Sequence, residues 1–350
     1  MAFSSAELAN IANAALDYYI DRGTVYANSL QDKPLLAAMD KSAKTFPGGK
    51  ENVSLAVKGT YTTTVAGYTH NDTVSYANPA NIQRVNYAWK EHHAGISLTL
   101  TELKKDGISV TDSLNSASTS NHSGRDATVL ENLLEDKLDD MMEGYSRGMN
   151  DLLYGDGSGS ATALAGIRSI IVDNPAASGT TVGGLSTVTN TWWRNRANVA
   201  ITTSATGQEL IETLHSEMRQ LKRFGGKPTL ALAGSAFLDR LADELRRNGN
   251  YSNTGFARNQ DISMGEITYN GMVFQYDPTL DDLTITGKTP SKRCYIIDPS
   301  KMYLHYMDGE KMKRHAPARP ATQYVMFRAI TTTAVLCSSQ LNCHGVYEIA

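Results

Sequence analysis

The segment from Asp126 to Tyr154 constrains this chain more than any other. Val129, Leu130, Leu133, Leu134, Leu138, Met141, Met142, Tyr145, Met149 and Leu153 recur at three- and four-residue spacing. They make one broad apolar face, so the spacing predicts a single long helix packed along one side. Ser123 or Asp126 is placed to cap it. The other face is acidic: Asp126, Glu131, Glu135, Asp136, Asp139, Asp140, Glu143 and Asp151 oppose Arg125, Lys137 and Arg147, a net of -5. No histidine is interleaved among these carboxylates, so they read as a solvated face rather than a metal or acid–base cluster. The helix runs into Tyr154-Gly155-Asp156-Gly157-Ser158-Gly159-Ser160, which reads as a flexible, hinge-like stretch.

Ahead of this helix lie two segments poor in core-forming residues. Leu8, Ile11, Ala15, Leu16, Tyr19 and Ile20 carry a helical stripe. The pattern weakens after Gly23, through Asp32-Lys33-Pro34, and ends at Pro47-Gly48-Gly49, which describes a partly structured arm. From Asn52 to about Leu103 the period changes to two. Val53, Leu55 and Val57 alternate with polar neighbours, Tyr61 to Val65 is rich in Thr, and His70-Asn71-Asp72 marks a turn. Val74 to Tyr76, Ile82 to Trp89 and Ile96 to Leu100 resume the extended pattern. Strands so rich in Thr, Tyr and Asn fit an extended β-arm whose side chains face a partner.

Beyond the glycine-rich stretch the pattern is mixed. Thr206-Gly207-Gln208-Glu209 has the form of a capping box ahead of Leu210, Ile211, Leu214, Met218 and Leu221, a helix that ends at Phe224-Gly225-Gly226. Pro228 to Ala233 is predicted to be a buried strand, and Ser235 to cap a helix bearing Leu238, Leu241 and Leu245. Asn248 to Asn259 is a polar loop, and Asn270-Gly271 joins two strands of a hairpin. Further strands are expected at Arg293 to Ile297, Met302 to Tyr306, Tyr324 to Cys337 and Val346 to Ile349.

Chemistry is hard to assemble from these residues. A charge of -3 over 350 residues gives no whole-chain drive toward nucleic acid or an anionic membrane. The longest apolar runs, such as Leu230 to Ala233, fall far short of the roughly 20 residues of a membrane span. Met1-Ala2-Phe3-Ser4-Ser5 opens no secretory signal, so folding in a cytoplasm is expected. Cys294, Cys337 and Cys343 are widely spread and read as buried thiols in strands. Gly155 to Gly159 lacks the spacing of a phosphate loop. His92 and His93 fall on opposite faces of a strand and do not share a metal, and His215 lies on a polar helix face. Lys311, Lys313, Arg314 and Arg319, with His315, form a basic cluster suited either to phosphate or to an acidic face on a neighbouring subunit. No catalytic, cofactor-binding or metal-ligating residue is assigned.

Trp192 and Trp193, two of three tryptophans, follow Val182-Gly183-Gly184 and a Ser/Thr/Asn run and lead into Arg194-Asn195. Two adjacent indoles mark a packing or contact device. This segment, together with Leu153-Tyr154-Gly155-Asp156-Gly157 leading to Leu164-Ala165-Gly166-Ile167, resembles the major capsid proteins of tailed bacteriophages. Over the whole chain the order of elements is similar to that family's α+β, HK97-like shell fold. The resemblance implies an N-terminal arm over 1–47 and an E-loop, an extended β-hairpin, over 48–105. A P-domain would cover 106–164 with its spine helix at 126–154, and an A-domain 165–290. Strands over 291–350 would return to both domains.

It also implies hexamers and pentamers in an icosahedral shell around double-stranded DNA, contacted non-specifically on the inner surface. A separate scaffolding protein, a portal and cement or decoration proteins would be partners, with assembly in the host cytoplasm and residence in the virion. Subunit contacts are expected at Leu8, Ile11 and Tyr19 in the arm and at Lys58, Tyr61, Tyr68, Tyr76 and Lys90 in the E-loop region. Trp192, Trp193, Lys311, Lys313, Arg314 and Arg319 complete the set. Some family members crosslink a lysine to an asparagine, but no motif here identifies the asparagine. Two alternatives stay open: an encapsulin-like compartment shell, and a small-molecule hydrolase or transferase, which would need a converging acid–base pair.

Overall fold

The computed structural model describes residues 3–4, 32–48, 50–74, 76, 81–105, 110–111, 124–203, 207–247, 267–315 and 325–350. The first half of the chain contains β1 (Phe3–Ser4), α1 (Pro34–Lys41), β2 (Lys44–Phe46), β3 (Asn52–Lys58), β4 (Ile82–Ala88), β5 (Lys90–Thr99), α2 (Leu100–Lys105), β6 (Val110–Thr111) and α3 (Gly124–Tyr154). There follow α4 (Ile167–Ile170), β7 (Thr181–Val182), β8 (Leu185–Ser186), β9 (Arg196–Ile201), α5 (Glu209–Lys222), β10 (Leu230–Ala233), α6 (Ser235–Arg247), β11 (Ile267–Tyr269) and β12 (Met272–Tyr276). The chain closes with α7 (Thr279–Asp282), β13 (Arg293–Ile297), β14 (Met302–Met307), β15 (Lys313–His315), β16 (Val325–Ser338) and β17 (Gly345–Ile349).

Two sheets organise these elements. One has the order β15-β16-β14-β2, with β5 also paired to β16; the other has six strands in the order β11-β12-β10-β13-β17-β9. The spine helix α3 lays its apolar face on the first sheet. Leu138, Met141, Met142, Tyr145, Met149 and Leu153 are buried there, and the Tyr145 hydroxyl shares a 2.7 Å hydrogen bond with Thr332 Oγ1 of β16. In the second sheet, β10 and β13 bury every residue because both faces are covered: Ala231, Ala233, Cys294 and Ile296 pack with Leu210, Leu214, Met218, Phe237 and Leu241 of α5 and α6, while Leu230, Leu232, Tyr295 and Ile297 face the main core.

The expected strands near the C-terminus and the Asn270-Gly271 turn are present. Asn270 and Gly271 both have positive φ, 50° and 78°, as a two-residue turn of this hand requires. Several expectations are corrected. The sequence pattern weakens after Gly23 and through Asp32-Lys33-Pro34, yet Pro34–Lys41 is a helix with Leu35, Leu36 and Met39 buried. Pro34 presets its first turn, Asn150 Oδ1 accepts the Leu36 amide at 3.1 Å, and Lys33 pairs with Glu143 at 3.1 Å. The end of the arm therefore belongs to the subunit core.

The strand over Ile96 to Leu100 does not extend the β-arm: β5 pairs with β16 through ten residues, from Thr99↔Val325 to Lys90↔Ala334. No strand forms at Tyr61 to Val65 or, among the described residues, at Val74 to Tyr76. The glycine-rich stretch after α3 is not a loose hinge. Asp156 Oδ1 accepts the Ser158 amide and hydroxyl at 2.9 and 2.7 Å, and Arg168 lies 3.5 Å from Asp156. Across from it, a Cβ on Gly166 would lie 2.3 Å from the Leu153 carbonyl oxygen, so the helix end and the segment leading into α4 touch backbone to backbone.

The first turn of α5 is also held from another helix. Helix α5 begins at Glu209, with Gln208 at the N-cap, and its Leu210 and Ile211 amides donate to Glu244 Oε2 of α6 at 3.1 and 3.2 Å. Glu244 is fully buried, where the positive end of the helix dipole and Arg240 at 3.3 Å stabilise its charge. Ser235 opens α6 as its first residue; its amide donates to Asp281 Oδ1 at 3.1 Å. Thr206, Ser123, the stripe from Leu8 to Ile20 and the loop from Asn248 to Asn259 lie outside the described residues.

Candidate functional site

Strands β3 and β4 form a hairpin in register from Asn52↔Ala88 to Lys58↔Ile82. Its root is packed: Val53, Val57, Val85 and Tyr87 are buried, and the Tyr87 hydroxyl donates to the Ser338 carbonyl at 3.0 Å. Its outer part is not. Between Gly59 and Asn81 the ladder stops, and the loop is pinned by Asn81 Nδ2 donating to the Thr60 carbonyl at 2.8 Å and by the Thr69–Asp72 turn. Tyr61, Tyr68 and Tyr76 are 81%, 71% and 92% exposed, and Val65, Val74 and Ile82 are exposed beside them. These six account for most of the nine large apolar side chains found exposed among the described residues. Apolar exposure concentrated in one projecting segment marks a contact surface.

The tandem tryptophans build the platform on which this hairpin stands. Gly183 and Gly184, at φ of 61° and 79°, turn the chain between β7 and β8. Gly183 sits against β4: its carbonyl accepts the Asn86 amide at 2.9 Å, and an added Cβ would come within 2.9 Å of Val85 Cβ. Trp193 is 1% exposed, and its Nε1–H donates to the Val182 carbonyl at 3.1 Å. Trp192 stacks edge-on against it at 5.9 Å and lies directly on Gly59, where a Cβ would overlap the indole. The surrounding polar run is satisfied internally: Thr187 donates to Pro175, Arg194 to Thr187, and Asn195 to Val172. Trp193 is thus a core residue of its own chain, which corrects its assignment as a subunit contact, and half-buried Trp192 braces the hairpin root.

The other candidates are dispersed. Lys58 lies over the Tyr61 ring at 4.8 Å, and Lys90 donates to the Ala161 carbonyl. Lys311 pairs with Asp40 at 3.0 Å and Lys313 with Glu310, so half of the expected basic cluster is neutralised within the chain. Arg314 stands in β15; Arg319, Leu8, Ile11 and Tyr19 lie outside the described residues.

Cys294, Cys337 and Cys343 are free and buried, but Cys343 occupies a turn rather than a strand. Burial pushes the Cys337 and Cys343 thiols up to about 12, away from the reactive thiolate. Next to Cys343, His344 and Ser338 make a grouping that resembles a nucleophile with its base. The Asp298 backbone N–H donates to His344 Nδ1 at 3.2 Å, which leaves the proton on Nε2, facing Ser338 Oγ at 3.3 Å. A general base needs Nε2 free to accept the serine proton, so the polarity is reversed.

Burial depresses the His344 imidazole from 6.5 to about 4. As pH falls, the unfolded chain binds this proton first. The contribution is complete above about 6.5, is lost between 6.5 and 4, and totals about 3 kcal/mol. Urea unfolding at pH 7 and pH 4 should show that loss, and His344→Gln should flatten the slope; an unchanged slope would reject the assignment.

No protein-family model and no curated protein matches the chain. Solved structures do. The chain is similar to a chain of the cyanophage A-1(L) capsid asymmetric unit at 14% identity and a TM-score of 0.60, over 92% of this chain and 93% of that one. It is similar to the capsid of a native GTA particle at 12% identity and 0.52, over 92% of each chain. It is also similar to the mature capsid of bacteriophage PhiM1 at 9% identity and 0.54, over 88% and 85%. The chain has the α+β, HK97-like fold that its sequence led us to expect.

Proposed function

We propose that this protein is the major capsid protein of a tailed bacteriophage, a structural subunit that self-assembles into the icosahedral head shell around double-stranded DNA. The projecting hairpin carries this reading: its outer part holds six large apolar side chains uncovered in the single chain, while its ladder is braced by Trp192, Trp193 and the Gly183-Gly184 turn. A covering surface must come from elsewhere, and a second copy supplies it in a closed shell. In this reading the hairpin over 52–88 is the E-loop, α3 with the β16 sheet is the P-domain, and the six-stranded sheet with α5 and α6 is the A-domain. A separate scaffolding protein, a portal and cement proteins complete the partners. The subunit assembles in the host cytoplasm and resides in the virion.

Electron microscopy of the protein expressed with its scaffold tests this directly; a compact monomer under every condition would refute it. Replacing residues 60–81 by a two-residue turn should leave unfolding stability within about 0.5 kcal/mol, since the described side chains it removes are exposed apart from half-buried Asn81. The same change should abolish closed particles. Normal shells from that variant would remove the hairpin from assembly.

A further inference from the structure

The basic residues that stand together in sequence are partly neutralised, but the fold gathers a second set from two distant segments. Helix α5 ends with exposed Arg219, Lys222 and Arg223, and the loop after it adds exposed Phe224 and Lys227. This loop is fastened to two turns from the far end of the chain. The Lys227 amide donates to Asp298 Oδ2 at 2.8 Å, and Gln340 Nε2 donates to the Phe224 carbonyl at 3.1 Å. Lys301, whose carbonyl accepts the Ser339 amide at 2.9 Å, joins the same face.

None of these five cations forms an ion pair among the described residues. Asp298, the carboxylate that fastens this loop, is 1% exposed and turned toward the Lys227 and Ser300 amides. Arg219 and Lys222 also offset the negative end of the α5 dipole. That role does not account for Lys227, Lys301 or Phe224, which is 60% exposed with the Arg223 guanidinium over its ring at 5.3 Å.

We propose that this patch is a contact for the phosphate backbone of packaged double-stranded DNA; the inference rests on the shell reading above. A duplex offers a phosphate charge about every 1.7 Å along its axis, dense enough to engage several cations at once. A protein partner fits less well, because the centres of protein interfaces are depleted in lysine and need more apolar area than one phenylalanine. The cations come from a helix end and turns, with no element placed to enter a groove, so the contact reads charge and not sequence.

The direct test places p-benzoylphenylalanine at Phe224 and irradiates DNA-filled particles. Covalent attachment to DNA is expected; attachment to a second capsid chain would overturn the proposal while leaving the shell intact. Failure of the wild-type chain to form particles would overturn both readings. Should the photoreactive variant itself not assemble, the soluble subunit is titrated with a short duplex over a range of salt. The logarithm of affinity should fall with the logarithm of salt at a slope of about -4. The variant Lys222→Ala/Arg223→Ala/Lys227→Ala should reduce that slope by about 3. Equal slopes in both proteins would overturn the proposal.

Discussion

Trp193→Ala is expected to cost about 3–5 kcal/mol of subunit stability, the range for emptying a large buried aromatic site. The indole is 1% exposed, contributes its apolar rings to the main core, and donates to the Val182 carbonyl in the strand that leads into the Gly183-Gly184 turn. Removing it leaves a cavity and takes the indole donor away from the Val182 carbonyl. It also loosens the turn whose Gly183 carbonyl holds the Asn86 amide of β4. Urea unfolding measures the first effect, and amide exchange at Asn86 the second. Trp192→Ala should cost less, because Trp192 is half-buried, yet should release the hairpin at Gly59, where the loop leaves the ladder. A Trp193→Ala variant within about 1 kcal/mol of wild type would mean that the platform is not held as described.

Arg293→Met should be as damaging, at about 3–5 kcal/mol, for an electrostatic reason. The guanidinium is fully buried. It donates to Asp173 at 3.1 and 2.8 Å, to Glu348 Oε2 at 2.9 and 2.7 Å, and to the Tyr295 hydroxyl at 3.2 Å. Asp173 keeps Lys288 at 3.2 Å, whereas Glu348 loses its only ion-pair partner among the described residues. The double variant Arg293→Met/Glu348→Gln should therefore recover part of the loss, since no buried charge is then left uncompensated. If the double variant proved as unstable as the single one, the cost would lie in packing instead. Because β13 and β17 carry these two residues side by side, the measurement reports on the centre of the six-stranded sheet.

Periodic features were legible in the sequence. The spine helix, predicted over 126–154, occupies 124–154, and the strands around Arg293, Met302 and Val346 lie where their apolar runs placed them. What sequence could not read was partner choice. Alternation identifies Lys90–Thr99 as a strand but does not say that it pairs with β16 rather than with the hairpin. Leu35, Leu36 and Met39 make too short a stripe to stand out, and only contact with α3, β14 and β10 makes them core. A deletion through residue 40 would consequently strip part of the core, and a cut meant to test the arm belongs before Asp32. Trp192 and Trp193 were legible as a contact device, but whether they serve the subunit or its neighbour depended on Gly59 and Val182, far apart in sequence.

The route of the last strands also sets a schedule. β13 belongs to the six-stranded sheet, β14, β15 and β16 to the other, and β17 returns to lie between β13 and β9. Neither sheet closes early, because β2 waits for β14 some 260 residues later and β9 waits for the final strand. A chain leaving the ribosome therefore has local helices and the β3–β4 hairpin long before it has either sheet, and such late, distant pairings are slow. Both sheets therefore depend on the segment from β14 to β17, and a chain cut before β14 would keep the β3–β4 hairpin without the sheet that carries β16 beneath it.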